Sequence, residues 1–241
     1  MFFHPIRVAA VLLFCSTGIQ AADQAVSTIA TGLFYSQGQS QETGQSDTRS
    51  VAVPLIISTQ YQRFYTAISS YAAQLSSDNL TNSTVENSPG LGDLTLALGY
   101  NVSRDARWRV QVKQKLATGD TDKGLSTGEN DTALQLDFFD SIDHEHFLFY
   151  TLGYKWVGKV SGLNMRNPLY STIGLGQFVT PSSAVSLSLD YFQSQYRDLE
   201  DAVSLSLSTN HIFNPTWALS GFGSYDSSDT FGIGISIVRS F

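Results

Sequence analysis

The chain has 241 residues with a formal net charge of −7. Only 15 % of them are charged, 12 % are aromatic, and there is a single cysteine. The hydrophobic share of 42 % excludes a disordered chain, while the acidic balance excludes nucleic acid as a partner. The charged fraction lies well below the roughly 25 % of an average soluble domain, and Ser, Thr, Gln and Asn fill the gap.

The N-terminal segment MFFHPIR carries Arg7, and VAAVLLFCSTGI follows as an apolar run. Small residues stand near Ala21 and Ala22, the layout of a cleaved secretory signal over residues 1–21. The run is too short to span a bilayer as a helix. Cleavage removes Arg7 and Cys15, leaving a mature chain 22–241 of net charge about −8 without a thiol.

From about residue 27 the pattern has period two. WRVQVKQKL sets Trp108, Val110, Val112 and Leu116 on one face and Arg109, Gln111, Lys113 and Lys115 on the other. TALQLDFF sets Leu134, Leu136 and Phe138 against Ala133, Gln135, Asp137 and Phe139. AVSLSLDYFQ sets Val185, Leu187, Leu189 and Tyr191 against Ser186, Ser188, Asp190 and Phe192. Such alternation marks strands with one apolar and one polar face. Twelve strands are expected near 27–37, 49–60, 63–74, 91–102, 107–117, 131–140, 146–157, 168–178, 184–195, 202–212, 216–225 and 230–241. Most are close to the 9–11 residues that a tilted strand needs to cross a bilayer.

Connections alternate between long and short. GQSQETGQSDTR, SSDNLTNSTVENSPG, TGDTDKGLSTGEN and KVSGLNMRN are long; SRDA, SIDHE, TPSS and NPT are tight. A secreted β-sandwich also alternates. Loop lengths, a Ser/Gly/Thr/Gln polar face, and aromatics near strand ends (Tyr100, Trp108, Tyr154, Trp156, Tyr170, Tyr196, Trp217, Tyr225 and Phe241) favour a barrel. The expected fold is all-β: a single antiparallel up-and-down transmembrane β-barrel of about twelve strands in a bacterial outer membrane. The final stretch TFGIGISIVRSF ends on Phe241, expected at the periplasmic interface as the signal that the barrel-assembly machinery reads.

On a lipid face each mid-membrane Lys or Arg costs about 2–4 kcal/mol. Arg109, Lys113 and Lys115, with Gln111 and Gln135, are therefore expected to line the lumen, with Asp93, Asp137 and Asp190 as acidic counterparts. This row braces the interior, selects solutes, or does both. DHEH, residues 143–146, sits at a short turn without a further ligand and reads as a solvated turn rather than a metal site. No metal and no cofactor is expected. There is no His-x-Ser motif of a barrel lipase, and the histidines stand at turns, away from a serine within a shared motif. An enzyme acting on lipid is thus a remote alternative, and a non-conducting structural or adhesin-like barrel a nearer one. Long loops rich in acid (Glu42, Asp47, Asp78, Glu86, Asp120, Asp122, Asp229) would meet lipopolysaccharide through divalent cations or stay solvated.

GLGDLTLALGY followed by KQKLATGDTDKGLSTGENDTALQLDFF resembles the outer-membrane family labelled the MetA pathway of phenol degradation. The matching positions are Gly90, Gly92 and Asp93, then Lys115, Leu116, Thr118, Gly119, Asp120, Gly124, Gly128 and Asp131. Ala117 stands where the family commonly has proline. The resemblance covers about 90–140 and implies a small barrel that passes hydrophobic or aromatic solutes, with no catalytic residue. By themselves the motif residues read as turn formers: glycines for reversals, Asp120 and Asp131 for backbone amides. A ligand or cation held in that loop is the alternative. A loop such as 75–89 is the expected constriction of the lumen, since ADQAVS is too short for a plug.

Overall fold

A computed structural model describes residues 24–40, 46–77 and 89–241. Residues 1–21, read as a secretory signal, lie outside them. The strands are β1 (Val26–Ser40), β2 (Ser46–Tyr61), β3 (Phe64–Ser77), β4 (Gly90–Leu91), β5 (Leu94–Asn101), β6 (Trp108–Leu116), β7 (Asp131–Ser141), β8 (His146–Trp156), β9 (Leu169–Thr180), β10 (Ser183–Phe192), β11 (Ala202–Asn214), β12 (Trp217–Asp226) and β13 (Phe231–Ser240). All pairings are antiparallel, and β1 pairs with both β2 and β13. The β2–β3 pairing completes the ring.

β4 and β5 are one strand broken by a bulge. Ser69 faces Thr95 and Ala72 faces Leu91, so two residues of β3 oppose three of the bulged strand. The barrel therefore has twelve strands. Two expected boundaries move. The strand expected over 91–102 is interrupted at Gly92–Asp93, and that expected over 184–195 stops at Phe192, where Gln193 and Ser194 turn toward Leu169 and Asp201.

Alternation sorts every strand. Leu33, Leu55, Ile57, Leu98, Val112, Leu175, Leu187, Leu205, Ile233 and Ile235 are exposed on the outside, an apolar belt that only lipid can cover favourably. Exposed aromatics cluster toward both rims: Tyr61, Phe64, Tyr100, Trp108, Phe213, Trp217 and Phe241 at the short turns, Tyr154, Trp156, Tyr225 and Phe231 at the long loops. These are the two girdles of an outer-membrane barrel, whose short turns lie on the periplasmic side. Arg239 sits at the short-turn rim with its guanidinium over the rings of Trp217 (5.3 Å) and Phe241 (4.7 Å), so its charge is placed at the interface and not in lipid. Two residues expected in the girdles are elsewhere. Tyr170 points inward, because Leu169, Ile173 and Leu175 take the outer face of β9, and Tyr196 lies half-buried among the loops, bridged to Met165.

Inside, large rings lie on glycines of the neighbouring strand. Across β8–β9, Phe147 faces Gly176, Phe149 faces Gly174 and Tyr170 faces Gly153. A Cβ at these glycines would come within 2.0–2.1 Å of the opposing ring. Each glycine thus lets a ring lie flat on the wall. Phe147, 1 % exposed, packs further against Phe139 and Phe178.

Gly176→Ala should destabilise the barrel by about 1–3 kcal/mol through overpacking. Urea unfolding of the refolded protein should show an earlier midpoint, and a wild-type midpoint would contradict the ring-on-glycine account. Deleting Phe241 removes the ring under Arg239 and the backbone pair between Phe241 and Ser27. Less heat-modifiable barrel in outer membranes is the expected result.

Candidate lumenal site

The β6 segment WRVQVKQKL turns Arg109, Gln111, Lys113 and Lys115 inward because its Trp and Val residues take the lipid side. Its register on β7 sets Arg109 opposite Asp137, Gln111 opposite Gln135, and Lys115 opposite Asp131. Asp137, 0 % exposed, accepts hydrogen bonds from Gln111 Nε2, Gln135 Nε2 (2.7 Å) and Thr151 Oγ1 (2.8 Å). Gln135 Oε1 in turn accepts from Lys113 Nζ (2.7 Å) and the Tyr170 hydroxyl (2.8 Å). Arg109 donates to Asn101 Oδ1 (2.9 Å) and Gln60 Oε1 (3.1 Å), and lies over the Tyr65 ring at 4.6 Å. Buried charges are tolerated when paired and fully hydrogen-bonded. The row forms a lattice of two adjoining groups, one about Arg109 from β2 to β6 and one about Asp137 from β6 to β9, and each cation is held in place within it.

The two motif stretches, some twenty residues apart, meet at the long-loop end of this lattice. Lys115 Nζ pairs with Asp93 (3.0 Å) and Asp131 (3.2 Å) and donates to Thr127 Oγ1 (3.1 Å). Asp131 also pairs with Lys155 at 3.6 Å and accepts from the Gly158 N–H at 3.0 Å. Asp93 accepts from the Gly119 N–H (3.0 Å), and Thr118 Oγ1 from the Leu94 N–H (2.9 Å). Asp120 and Leu91 exchange two bonds: the Asp120 N–H donates to the Leu91 carbonyl, and the Leu91 N–H to the Asp120 carboxylate, both 2.8 Å. Gly119 has no room for a side chain, since a Cβ would meet the Gly92 and Asp93 backbone at 2.8–2.9 Å. Gly124 and Gly128 take positive φ of 67° and 73°, which turns the loop back on itself.

These contacts seat loop 117–130 inside the barrel. Leu125, 4 % exposed, packs with Tyr71, Ala73, Leu75 and Ala52, and the Tyr71 hydroxyl donates to the Leu125 carbonyl at 3.0 Å. The bulge at Gly92–Asp93 serves the same end, because the Tyr71 ring rests where a Gly92 Cβ would stand. Loop 117–130 thus enters the barrel. The other expected constriction, 75–89, falls for the most part (78–88) outside the described residues. Loop 117–130 is held by its own anchors: Thr118, Gly119 and Asp120 bond to Leu94, Asp93 and Leu91.

Asp190 stands apart from the lattice, on β10. It accepts from Thr172 (2.7 Å) and Ser206 (2.9 Å) and lies near the hydroxyls of Ser188 and Ser204. Gln60, Tyr65, Tyr71, Asn101, Leu125, Thr151, Lys155 and Tyr170 were not singled out as interior residues by sequence reasoning. Strand parity places most of them. Leu125, an isolated apolar residue in a polar glycine-rich loop, was a signal for insertion.

The histidines hold no metal-like cluster among the described residues. The His146 ring bonds Asp143 at 3.0 Å, and the Asp143 carboxyl lies below its ordinary range, chiefly through the Glu145 N–H and then His146. His211 meets a serine of the neighbouring strand and not of a shared motif: Nδ1 lies 2.8 Å from Ser183 Oγ across β10–β11, on the outer face near the short turns. No carboxylate is hydrogen-bonded to this imidazole among the described residues.

Lys115→Ala leaves the buried Asp93 and Asp131 carboxylates with fewer partners, a loss on the order of 3–5 kcal/mol for a broken buried pair. Loop 117–130 should detach, and trypsin should cut the folded barrel after Lys123, which otherwise donates to the Pro89 carbonyl at 2.7 Å. An unchanged digestion pattern would count against this anchoring.

No family model matches the chain, and no curated protein sequence is similar to it. Solved structures are. The COG4313 outer membrane channel from Pseudomonas putida F1 superposes with a TM-score of 0.72 at 16 % identity, covering 93 % of this chain and 99 % of that one. The KdgM porin, solved with disordered oligogalacturonate, gives 0.61 at 10 % identity over 89 % and 99 % of the two chains. The CymD monoaromatic hydrocarbon channel gives 0.55 at 10 % identity over 99 % and 94 %. At such identities the likeness is one of fold. With its apolar belt and closed ring, the fold is that of outer-membrane channels and porins, and the barrel resides in the bacterial outer membrane.

Proposed function

We propose that the protein is an outer-membrane channel for the passive passage of small solutes, hydrophobic or aromatic ones among them, and that it is not an enzyme. The observation that carries this reading is the interior itself. A hydrogen-bonded lattice of Arg109, Gln111, Lys113, Gln135 and Asp137 lies beside apolar patches of Phe147, Phe149 and Ala184, and of Ala30, Ile56, Ala218 and Val238. Such a lumen offers polar contacts along one side and apolar contacts along others, which suits solutes with an apolar body. The resemblance of residues 90–140 to the MetA-pathway family supports the aromatic side of the reading, as does the likeness to a channel whose name specifies monoaromatic hydrocarbons.

The same reading assigns residues 1–21 to a signal removed on export, Phe241 to recognition by the barrel-assembly machinery, and the acidic loops to contact with lipopolysaccharide. The motif residues Thr118, Gly119, Asp120, Gly124, Gly128 and Asp131 set the position of the constriction loop and take no part in chemistry. A structural, non-conducting barrel is the competing reading.

Purified protein in planar bilayers should give discrete channel openings, and solute efflux from reconstituted vesicles should exceed that of empty liposomes. Lys113→Ala removes a cation held against Gln135 and should change single-channel conductance by about twofold. Silent bilayers together with vesicles no leakier than controls would favour the structural reading.

A further inference from the structure

The repeated segments SLSLDYF (186–192) and SLSLSTN (204–210) place their leucines on lipid and their polar residues inside. β10 thereby offers Ser186, Ser188 and Asp190, and β11 offers Ser204, Ser206 and Ser208, while β9 adds Thr172 through its register with Asp190. Asp190 is 6 % exposed. Its two oxygens divide the hydroxyls: Thr172 Oγ1 donates to Oδ1 at 2.7 Å, and Ser206 Oγ to Oδ2 at 2.9 Å, with Ser188 and Ser204 at 3.4 and 3.5 Å from Oδ2.

Two points distinguish this carboxylate from Asp93 and Asp131, which pair with Lys115, and from Asp137, which lies opposite Arg109 and shares Gln135 with Lys113. One is the absence of a counter-charge. No basic group lies within ion-pair distance of it among the described residues. The inward cations Arg109, Lys113, Lys115 and Lys155 stand on β6 and β8, held by Asn101, Gln60, Gln135, Asp93 and Asp131. The other is the direction of its hydrogen bonds. A hydroxyl has one proton and two lone pairs. Thr172 and Ser206 direct their protons at Asp190, so lone pairs are what they have left to offer. Asp190 and these hydroxyls therefore form a surface of acceptors carrying one uncompensated negative charge, in a lumen whose walls concentrate its field.

We propose that Asp190 is the charge-selecting residue of the lumen, and that its hydroxyl patch on β9–β11 receives small monovalent cations and the ammonium head groups of passing solutes. The basic lattice on β6–β8 is a separate region, whose cations are engaged by its own carboxylates and amides. This assignment rests on the channel reading above.

Reversal potentials under a KCl gradient across planar bilayers test it. The wild-type barrel should prefer potassium over chloride. Asp190→Asn and Asp190→Ser, the second matching the serines around it, should each lower that permeability ratio about threefold or more, whereas Asp190→Glu should keep it. Heat-modifiable mobility on gels identifies folded variants, and the serine variant stands in if the asparagine one does not fold. A conducting wild type that prefers chloride, or neutral variants with the wild-type ratio, would overturn the assignment and leave the channel reading standing. A wild type that passes no current would overturn both.

Discussion

The pairing of β1 with both β2 and β13 is the constraint from which the rest follows. In hydrocarbon there is no water for an unpaired N–H or carbonyl, so a sheet crosses the membrane only as a ring without edges. The last strand must find the first, and the end of β13 meets the start of β1 at one rim, where the Phe241 N–H bonds the Ser27 carbonyl. Once the ring is closed, period two leaves each residue a choice of lipid or lumen and nothing between.

That choice explains the distribution of charge. Inside, most cations and carboxylates are held in a lattice, and the β6–β7 register supplies it by setting Arg109 against Asp137 and Lys115 against Asp131. Asp190 is stabilised differently, by hydroxyls from three strands. Rings are accommodated by register too: Phe147, Phe149 and Tyr170 each face a glycine across β8–β9. Side chains of any size can therefore line this wall, provided their partner in the next strand is chosen to match.

Much of this was legible in the chain. Alternation in WRVQVKQKL and AVSLSLDYFQ located strands and assigned faces to Lys113 and Asp190, because parity is a local property. Tyr170 was assigned to a girdle by its position near a strand end, although its parity with Leu169 and Ile173 puts it inside. Position along the strand was given weight that belonged to the period. The seating of loop 117–130 was hidden for another reason: it is drawn in by Lys115, Asp93 and Tyr71, which come from β6, the bulge between β4 and β5, and β3.

The sequence by itself determined the strands, their two faces, the rhythm of long and short connections and the aromatic ending, since each depends on residues close along the chain. Tertiary structure alone decided the register that sets ring on glycine, the bulge at Gly92–Asp93 that admits the Tyr71 ring, the seating of Leu125, and the hydroxyl cage of Asp190. These depend on which residue of a neighbouring strand lies opposite. A shift of register by two residues would keep every face and change every partner.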